Sequence, residues 1–249
     1  PEPWIAGTVL GAGCALCCIA LAFVSEPPQL LRSGSYRLRL AEVLRDLWHV
    51  ARSRAGYLAL LICFLPIGTG AASNLWSAVA GDWHASADTV ALVTGVLNGI
   101  VSAAGCLAGG YLADRIDRKT AYALYGLLLA VCAAAMAWAP RSESMYVAFT
   151  LAYAFIQGLS YAGFSAVALE AMGLGAAATK YTLFASLSNM PIMFMTMIDG
   201  AAHTQWGAGG MLYTEALFGV AGIAVFIAVT AATGTTAVSD SRLGTERRS

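Results

Sequence analysis

The chain has 249 residues, of which 59% are apolar and 11% are charged, and its mean hydropathy is +0.69. Soluble domains average about 25% charged residues, so this composition excludes a soluble globular protein and predicts an all-α integral membrane protein. The formal net charge is +0, and the distribution of charges along the chain is therefore more informative than their sum.

Seven apolar stretches are long enough to span a bilayer, which requires about 20 helical residues. They are approximately residues 4–24, 57–79, 89–112, 121–139, 145–169, 181–198 and 211–232. If these spans alternate in direction, every Lys and Arg except Arg141 lies on one side. Cytoplasmic loops are enriched in Lys and Arg. We therefore predict a multi-pass protein of the cell's inner or plasma membrane with a cytoplasmic carboxyl terminus.

The segment between the first two spans has a different pattern. Apolar residues recur there at helical spacing among charged ones, namely Leu40, Val43, Leu44, Leu47, Trp48 and Ala51. This pattern predicts an amphipathic helix. Such a helix either lies on the cytoplasmic membrane surface or packs on the ends of other helices, and in both cases it acts as a linker.

A short basic sequence, Gly110-Tyr-Leu-Ala-Asp114-Arg115-Ile-Asp117-Arg118-Lys119, joins the third and fourth spans. It resembles the cytoplasmic loop signature of the major facilitator superfamily of transporters, G-x-L-a-D-R-x-G-R-k. One position departs, since Asp117 stands where the family usually has Gly. Glycine adopts left-handed backbone more readily than Asp does, so Asp117 weakens the expectation of a tight turn at this position.

The order of spans and linker fits span six, the central linker and spans seven to twelve of the twelve-helix major facilitator fold. The resemblance therefore implies four parts. Residues 1–24 form the last span of the amino-terminal half, 25–56 the cytoplasmic amphipathic linker, 57–233 the six-helix carboxyl-terminal half, and 234–249 a cytoplasmic tail. Because the first residue is Pro, we expect the sequence to be a fragment whose partner is the amino-terminal half of the same transporter.

A second resemblance lies in residues 176–191, which read AAATKYTLFASLSNMP. This run is similar to span eleven of the AmpG-like permeases, in the peptide/acetyl-coenzyme A/drug transporter branch. The resemblance implies a secondary active transporter that moves a small molecule across the lipid bilayer by alternating access, with proton coupling left open. The branch suggests a muropeptide-, acyl-coenzyme A- or siderophore-like cargo. We expect the protein to need no cofactor and to bind no nucleic acid.

Three amides lie near span centres: Asn98, Gln157 and Asn189. Polar side chains at this depth face protein or water. Gln157 shares a helix face with Tyr153 and Tyr161, which are each four residues away. The resemblance implies a substrate cavity between the two halves near the midplane, lined by these side chains and by Asn74 of the second span. The competing interpretation is hydrogen bonding between helices.

Charged residues at the cytoplasmic ends suggest a gate. The resemblance implies a charge relay between the basic loop, with Asp114, Arg115 and Arg118, and Glu170 at the end of the fifth span. Asp199 and Glu215 lie near the outer ends of their spans, and we expect them to be solvated at the membrane interface. If transport is proton-coupled, the titrating carboxylate is in the absent half or is one of these two residues.

Small residues predict close helix packing in the third span, where Gly95 and Gly99 form one small-residue face and Gly105 and Gly109 another. Pro191 lies within the sixth span and lacks a backbone N–H, so it is expected to kink that helix.

Nothing in the sequence predicts an enzyme. It contains no nucleophile elbow, phosphate-binding loop or metal-ligand spacing, and the cysteines at 14, 17 and 18 are interpreted as small apolar side chains. The rival hypothesis is a non-transporting membrane receptor or regulator, or a remnant that requires a partner subunit.

Overall fold

The computed structural model describes residues 3–21, 23, 45, 48, 52, 54–172 and 177–246. The chain divides into two units, Pro1–Ala41 and Glu42–Ser249. The described part of the first unit contains helix α1, Pro3–Leu21. The predicted linker at 25–56 falls largely outside the described residues, and its amphipathic helix stays a prediction.

The described part of the second unit contains six further helices and three short helical turns. The turns are Ala71–Leu75, Trp76–Val79 and Ala80–Trp83. The helices are α2 (Arg54–Ile62), α3 (Ala87–Ala113), α4 (Arg118–Trp138), α5 (Glu143–Met172), α6 (Ala177–Leu187) and α7 (Asn189–Glu246). No strand occurs in the described part of the chain, so the prediction of an all-α protein is confirmed there.

Four helical stretches of the described chain are long and apolar enough to cross a membrane: Ala87–Ala113, Arg118–Trp138, Glu143–Glu170 and Tyr181–Ala232. The first three match the predicted spans at 89–112, 121–139 and 145–169 to within a few residues. The fourth covers both predicted spans at 181–198 and 211–232. The described region therefore has the helices of a membrane protein.

Helix α7 consists of two arms that meet at Gly207. This glycine has φ 70° and ψ −171°, which no helix contains. We call residues 189–206 the first arm and residues 208–246 the second arm. The interruption expected from Pro191 lies three residues earlier, at Ser188, where α6 ends and α7 begins. It lies there because the proline ring displaces the carbonyl four residues before it.

The second predicted span does not form one continuous helix, and the prediction of a helix over residues 57–79 is wrong. Helix α2 ends at Ile62, and helical structure resumes only at Ala71. Pro66 lies between them and cannot donate a backbone hydrogen bond. Gly68 and Gly70 have φ values of 61° and 67°, in the left-handed region that favours glycine. We call residues 63–70 the broken segment.

Helices α3 and α5 pack with their backbones in contact. A Cβ atom added at Gly105 would overlap the carbonyl of Phe155, and one at Gly109 would lie 2.7 Å from the Cα of Leu159. On α5, a Cβ at Gly158 would overlap the carbonyl of Ser102. The small-residue face at 105 and 109 is thus confirmed. The face at 95 and 99 is different, because both of those glycines meet open space.

The main apolar core joins α4, α5, the second arm and the three short turns. Its buried residues include Trp76, Leu129, Met136, Tyr153 and Met211. The outer face of α3 is apolar but uncovered, and only 11% of its most apolar stretch is buried within the chain. An apolar surface of this kind is suited to lipid.

Asp117 begins helix α4 as its N-cap. Its φ and ψ are −57° and 127°, so the position needs no left-handed backbone and the departure from glycine is accommodated. The carboxylate accepts hydrogen bonds from the backbone N–H and the hydroxyl of Thr120, both at 2.9 Å. These donors, the backbone N–H first, lower the pKa of Asp117.

Replacing Asp117 with alanine is expected to destabilise the protein by about 0.5–2 kcal/mol, the usual effect of losing an N-cap. Because its pKa is lowered in the folded protein, the carboxylate stabilises the fold above its ordinary pKa. This contribution is lost as the pH falls through the folded-state value. Asp117→Asn should keep the cap without titrating. Thermal unfolding in detergent over an acidic pH series measures both effects, and equal pH dependence in all three proteins would contradict the assignment.

Candidate functional site

The candidate site lies where the broken segment meets helix α5. Polar side chains on the face of α5 that carries Tyr153, Gln157 and Tyr161, and Ser165 one turn further on, contact the surrounding elements. Tyr153 donates to Glu215, Gln157 packs against Gly70, and Ser165 is 3.2 Å from the Tyr181 hydroxyl of α6. These side chains therefore connect the broken segment, α6 and the second arm of α7 around one helix.

Side chains from α4 and α5 hold the broken segment on two sides. The Tyr122 hydroxyl of α4 donates to the Ile67 carbonyl at 3.1 Å. A Cβ at Gly68 would lie 2.7 Å from the Ser160 hydroxyl oxygen, and one at Gly70 would overlap the Gln157 amide. Glycine at both positions thus allows the irregular backbone to lie directly on α5.

A pocket with a cavity volume of about 40 Å³ lies between the broken segment, α5 and the start of α7. Its polar lining includes Thr69, Ser160, Tyr161 and Ser188. The ring of Tyr161 is 46% exposed, and its hydroxyl accepts from the Gln157 amide at 3.4 Å. A cavity of this size has room for about three water molecules, given the roughly 10–15 Å³ that one water needs.

Two acidic side chains lie beside the same broken segment. Glu215 Oε1 accepts hydrogen bonds from the Tyr153 hydroxyl at 2.8 Å and from the Thr69 hydroxyl at 3.3 Å. The Asp199 carboxyl group is within interaction range of Glu215. A carboxyl pair, a phenol and a threonine hydroxyl therefore form one cluster.

The proximity of Asp199 and Glu215 results from the break at Gly207. In a straight helix rising about 1.5 Å per residue, positions 199 and 215 would lie roughly 24 Å apart. Each residue is instead eight positions from Gly207 on its own arm, and two residues close in sequence bond to both arms, Thr69 to Glu215 and Asn74 to Thr196. The second arm therefore folds back along the first.

Both carboxyl groups are buried, which corrects the expectation that they are solvated at the membrane interface. Asp199 is 0% exposed and Glu215 is 5% exposed. Both oxygens of Asp199 and Oε2 of Glu215 lack a hydrogen-bond partner. The sequence interpretation missed this cluster, together with Thr69. Two features of the sequence could have indicated the cluster. The glycines at 207, 209 and 210 permit the chain to reverse direction, and the Pro-Ile-Gly-Thr-Gly sequence at 66–70 can interrupt a helix.

The predicted cavity residues divide into two groups. Tyr161 lines the pocket, Gln157 contacts it through Tyr161, and Tyr153 reaches the carboxyl pair.

The other three predicted cavity residues do not line this pocket, and two of them bond elsewhere. Asn189 donates to the Ala185 carbonyl at 2.9 Å, and Asn74 donates to Thr196 at 2.9 Å. Asn98 lies on α3 with its side-chain oxygen buried and unpartnered.

One contact of the predicted charge relay forms at the opposite end of α5. Arg118 and Glu170 form an ion pair at 3.7 Å, with side chains 41% and 49% exposed. The Arg115 guanidinium lies 3.9 Å from the Tyr111 ring centroid, and Asp114 lines an open groove with Arg118. An exposed pair contributes only about 0–1 kcal/mol, so this contact adds little to stability.

Comparison of the chain with protein-family models and with curated proteins finds no match. The chemistry of the site therefore rests on its geometry. Hydroxyl groups and an amide converge on a small pocket beside irregular backbone, and a buried carboxyl pair lies next to it. The pocket can bind a polar part of a solute, and the carboxyl pair can bind a proton.

Proposed function

We propose that the chain is the carboxyl-terminal part of a secondary active transporter that moves a small polar solute across a membrane by alternating access. Its carboxyl terminus is cytoplasmic in this proposal, as the distribution of basic residues predicts. The resemblance of the 110–119 loop to the major facilitator signature and of residues 176–191 to AmpG-like permeases supports this class.

The observation that carries the proposal is the broken segment. Irregular backbone within a membrane is tolerated only where protein buries it or where it lines a cavity. Transporters use such discontinuous helices to build substrate sites near the bilayer midplane. Here the segment packs on the polar face of α5 and forms one wall of a pocket with Thr69, Ser160 and Tyr161.

The pocket volume indicates which part of a cargo this half would hold. About 40 Å³ accommodates one polar group and not a whole muropeptide, acyl-coenzyme A or siderophore. The rest of the cavity would come from the amino-terminal half, which is the partner that the resemblance implies. The hydroxyl groups among its otherwise mainly apolar lining can hydrogen-bond to such a group.

Tyr161→Phe tests the pocket directly, because it keeps the ring and removes the hydroxyl. If the hydroxyl binds cargo, affinity should fall by about 0.5–1.5 kcal/mol, which is roughly 2- to 12-fold. The measurement is uptake of labelled muropeptide, acetyl-coenzyme A or ferric siderophore. The cells would express the chain with any coding sequence that precedes it.

The matched control is Tyr213→Phe. Tyr213 is also 46% exposed, lies on the second arm and does not line the pocket, so uptake should be unchanged. Uptake of none of the three cargoes, with normal membrane abundance, would favour the non-transporting regulator. Equal losses of uptake in Tyr161→Phe and Tyr213→Phe would show that the cargo does not bind in this pocket.

A further inference from the structure

We propose that Asp199 and Glu215 share a bound proton, and that uptake and release of a second proton by the pair controls how firmly the broken segment is held against helix α7. The first statement is independent of the proposed function. The second rests on it, because it makes the proton the coupling ion of the transporter.

The first observation that supports a shared proton is that both carboxyl groups are buried without enough hydrogen-bond donors or any cation beside them among the described residues. Asp199 and Glu215 are 0% and 5% exposed, and three of their four oxygens have no hydrogen-bond partner. In the described part of the chain the ion pair found is that of Arg118 and Glu170, so no cation there neutralises the carboxyl groups. Two adjacent buried carboxylates cannot both be ionised at reasonable energy.

The side chains that bond to the pair are neutral, and the other titratable group of the first arm, His203, lies four residues from Asp199 and forms no ion pair with it. Helix α5 contributes the Tyr153 hydroxyl and the broken segment contributes the Thr69 hydroxyl. Helix α4 contributes the Cys132 thiol, which lies close enough to Tyr153 to interact with it. The pair can therefore reduce its charge only by binding something itself.

The ligand geometry favours a proton over a metal ion. Oε1 of Glu215 already accepts two hydrogen bonds, which leaves three free carboxyl oxygens. A hard cation such as Ca²⁺ takes about six to eight oxygen ligands, and the described residues contain no group of three acidic, His or Cys side chains suited to a metal. A proton needs only two facing oxygens.

The hydrogen bonds also assign the proton within the pair. Donors stabilise a negative charge, and Glu215 accepts two of them while Asp199 accepts none in the described chain. Glu215 therefore carries the charge and Asp199 the proton. A second proton, taken up from water by Glu215, weakens its bond from Thr69, which lies between the two left-handed glycines of the broken segment. Its release to water restores that bond.

Infrared spectroscopy of the purified chain in lipid nanodiscs tests the proton directly, because a protonated carboxyl group absorbs separately from a carboxylate. At neutral pH exposed carboxyl groups are ionised, since their ordinary pKa is about 4. We expect a protonated-carboxyl band in the unaltered protein, its loss in Asp199→Asn, and its retention in the control Asp82→Asn, which alters an exposed acid. Glu215→Gln should shift the band or the pH at which it disappears.

Absence of the band in the unaltered protein would overturn the proposal even if a variant fails to fold. Its disappearance on adding sodium, but not choline, would overturn the proton assignment in favour of a sodium site. No cargo is used, so a negative spectrum would leave the transporter proposal intact. If the protonated-carboxyl band is present but no cargo is taken up, the proposal of a shared proton stands and the proposal of a transporter fails.

Discussion

Gly158→Ala is expected to prevent α3 and α5 from packing as they do. The added Cβ would overlap the Ser102 carbonyl and lie 2.8 Å from the Cys106 backbone nitrogen. Overpacking typically destabilises by about 1–3 kcal/mol. We expect at least the upper end of this range, because the overlapping atoms are backbone and cannot rotate away. The thermal unfolding midpoint in detergent and the abundance in the membrane should both fall.

Gly99→Ala is the matched control for that substitution. Gly99 lies on α3 and nothing lies within 4 Å of its added Cβ. The change should leave stability unaltered or raise it by up to about 1 kcal/mol, the helix preference of Ala over Gly. Similar midpoints for the two variants would mean that α3 and α5 do not meet at Gly158.

Tyr153→Phe should destabilise the protein by about 1.5–3 kcal/mol, the range for a hydrogen bond to a charged group. The ring should stay in place, because it packs edge-to-face on Trp76 with centroids 5.1 Å apart. What is lost is the donor to Glu215. Thermal unfolding of the purified protein at neutral pH measures this difference.

Tyr146→Phe is the control on the same helix. Tyr146 is equally buried, and its hydroxyl donates at 3.1 Å to the neutral carbonyl of Trp76, so about 0.5–1.5 kcal/mol is expected. Equal losses at neutral pH would indicate that Glu215 carries no charge there.

Long apolar helices were predictable from the sequence, and so were contacts set by local spacing. The runs that became α3, α4 and α5 are separated by charged turns, and the basic loop correctly suggested that Arg118 would meet Glu170. Gly105 and Gly109 are four residues apart, so they must share a helix face, and that face is packed.

Features that depend on chain reversal were not predictable in this way. Hydropathy averages over residues 57–79 and does not register that Pro66, Gly68 and Gly70 break the helix. The burial of Asp199 depends on Gly207 turning the second arm back, and on which residues of other helices meet it. Because Asp199 and Glu215 lie near the ends of apolar runs, the sequence indicated that they are solvated. Their burial is determined by tertiary packing, which the sequence pattern does not contain.

The broken segment has a consequence for biosynthesis. The backbone of the broken segment is not paired within a continuous helix, and unpaired backbone groups are costly in hydrocarbon, so this segment is not stable in lipid by itself as it leaves the ribosome. The partner of its Ile67 carbonyl is Tyr122, which is translated 55 residues later, and Ser160 and Glu215 follow later still. We therefore expect this region to be completed only after its partners on α4, α5 and α7 have been synthesised.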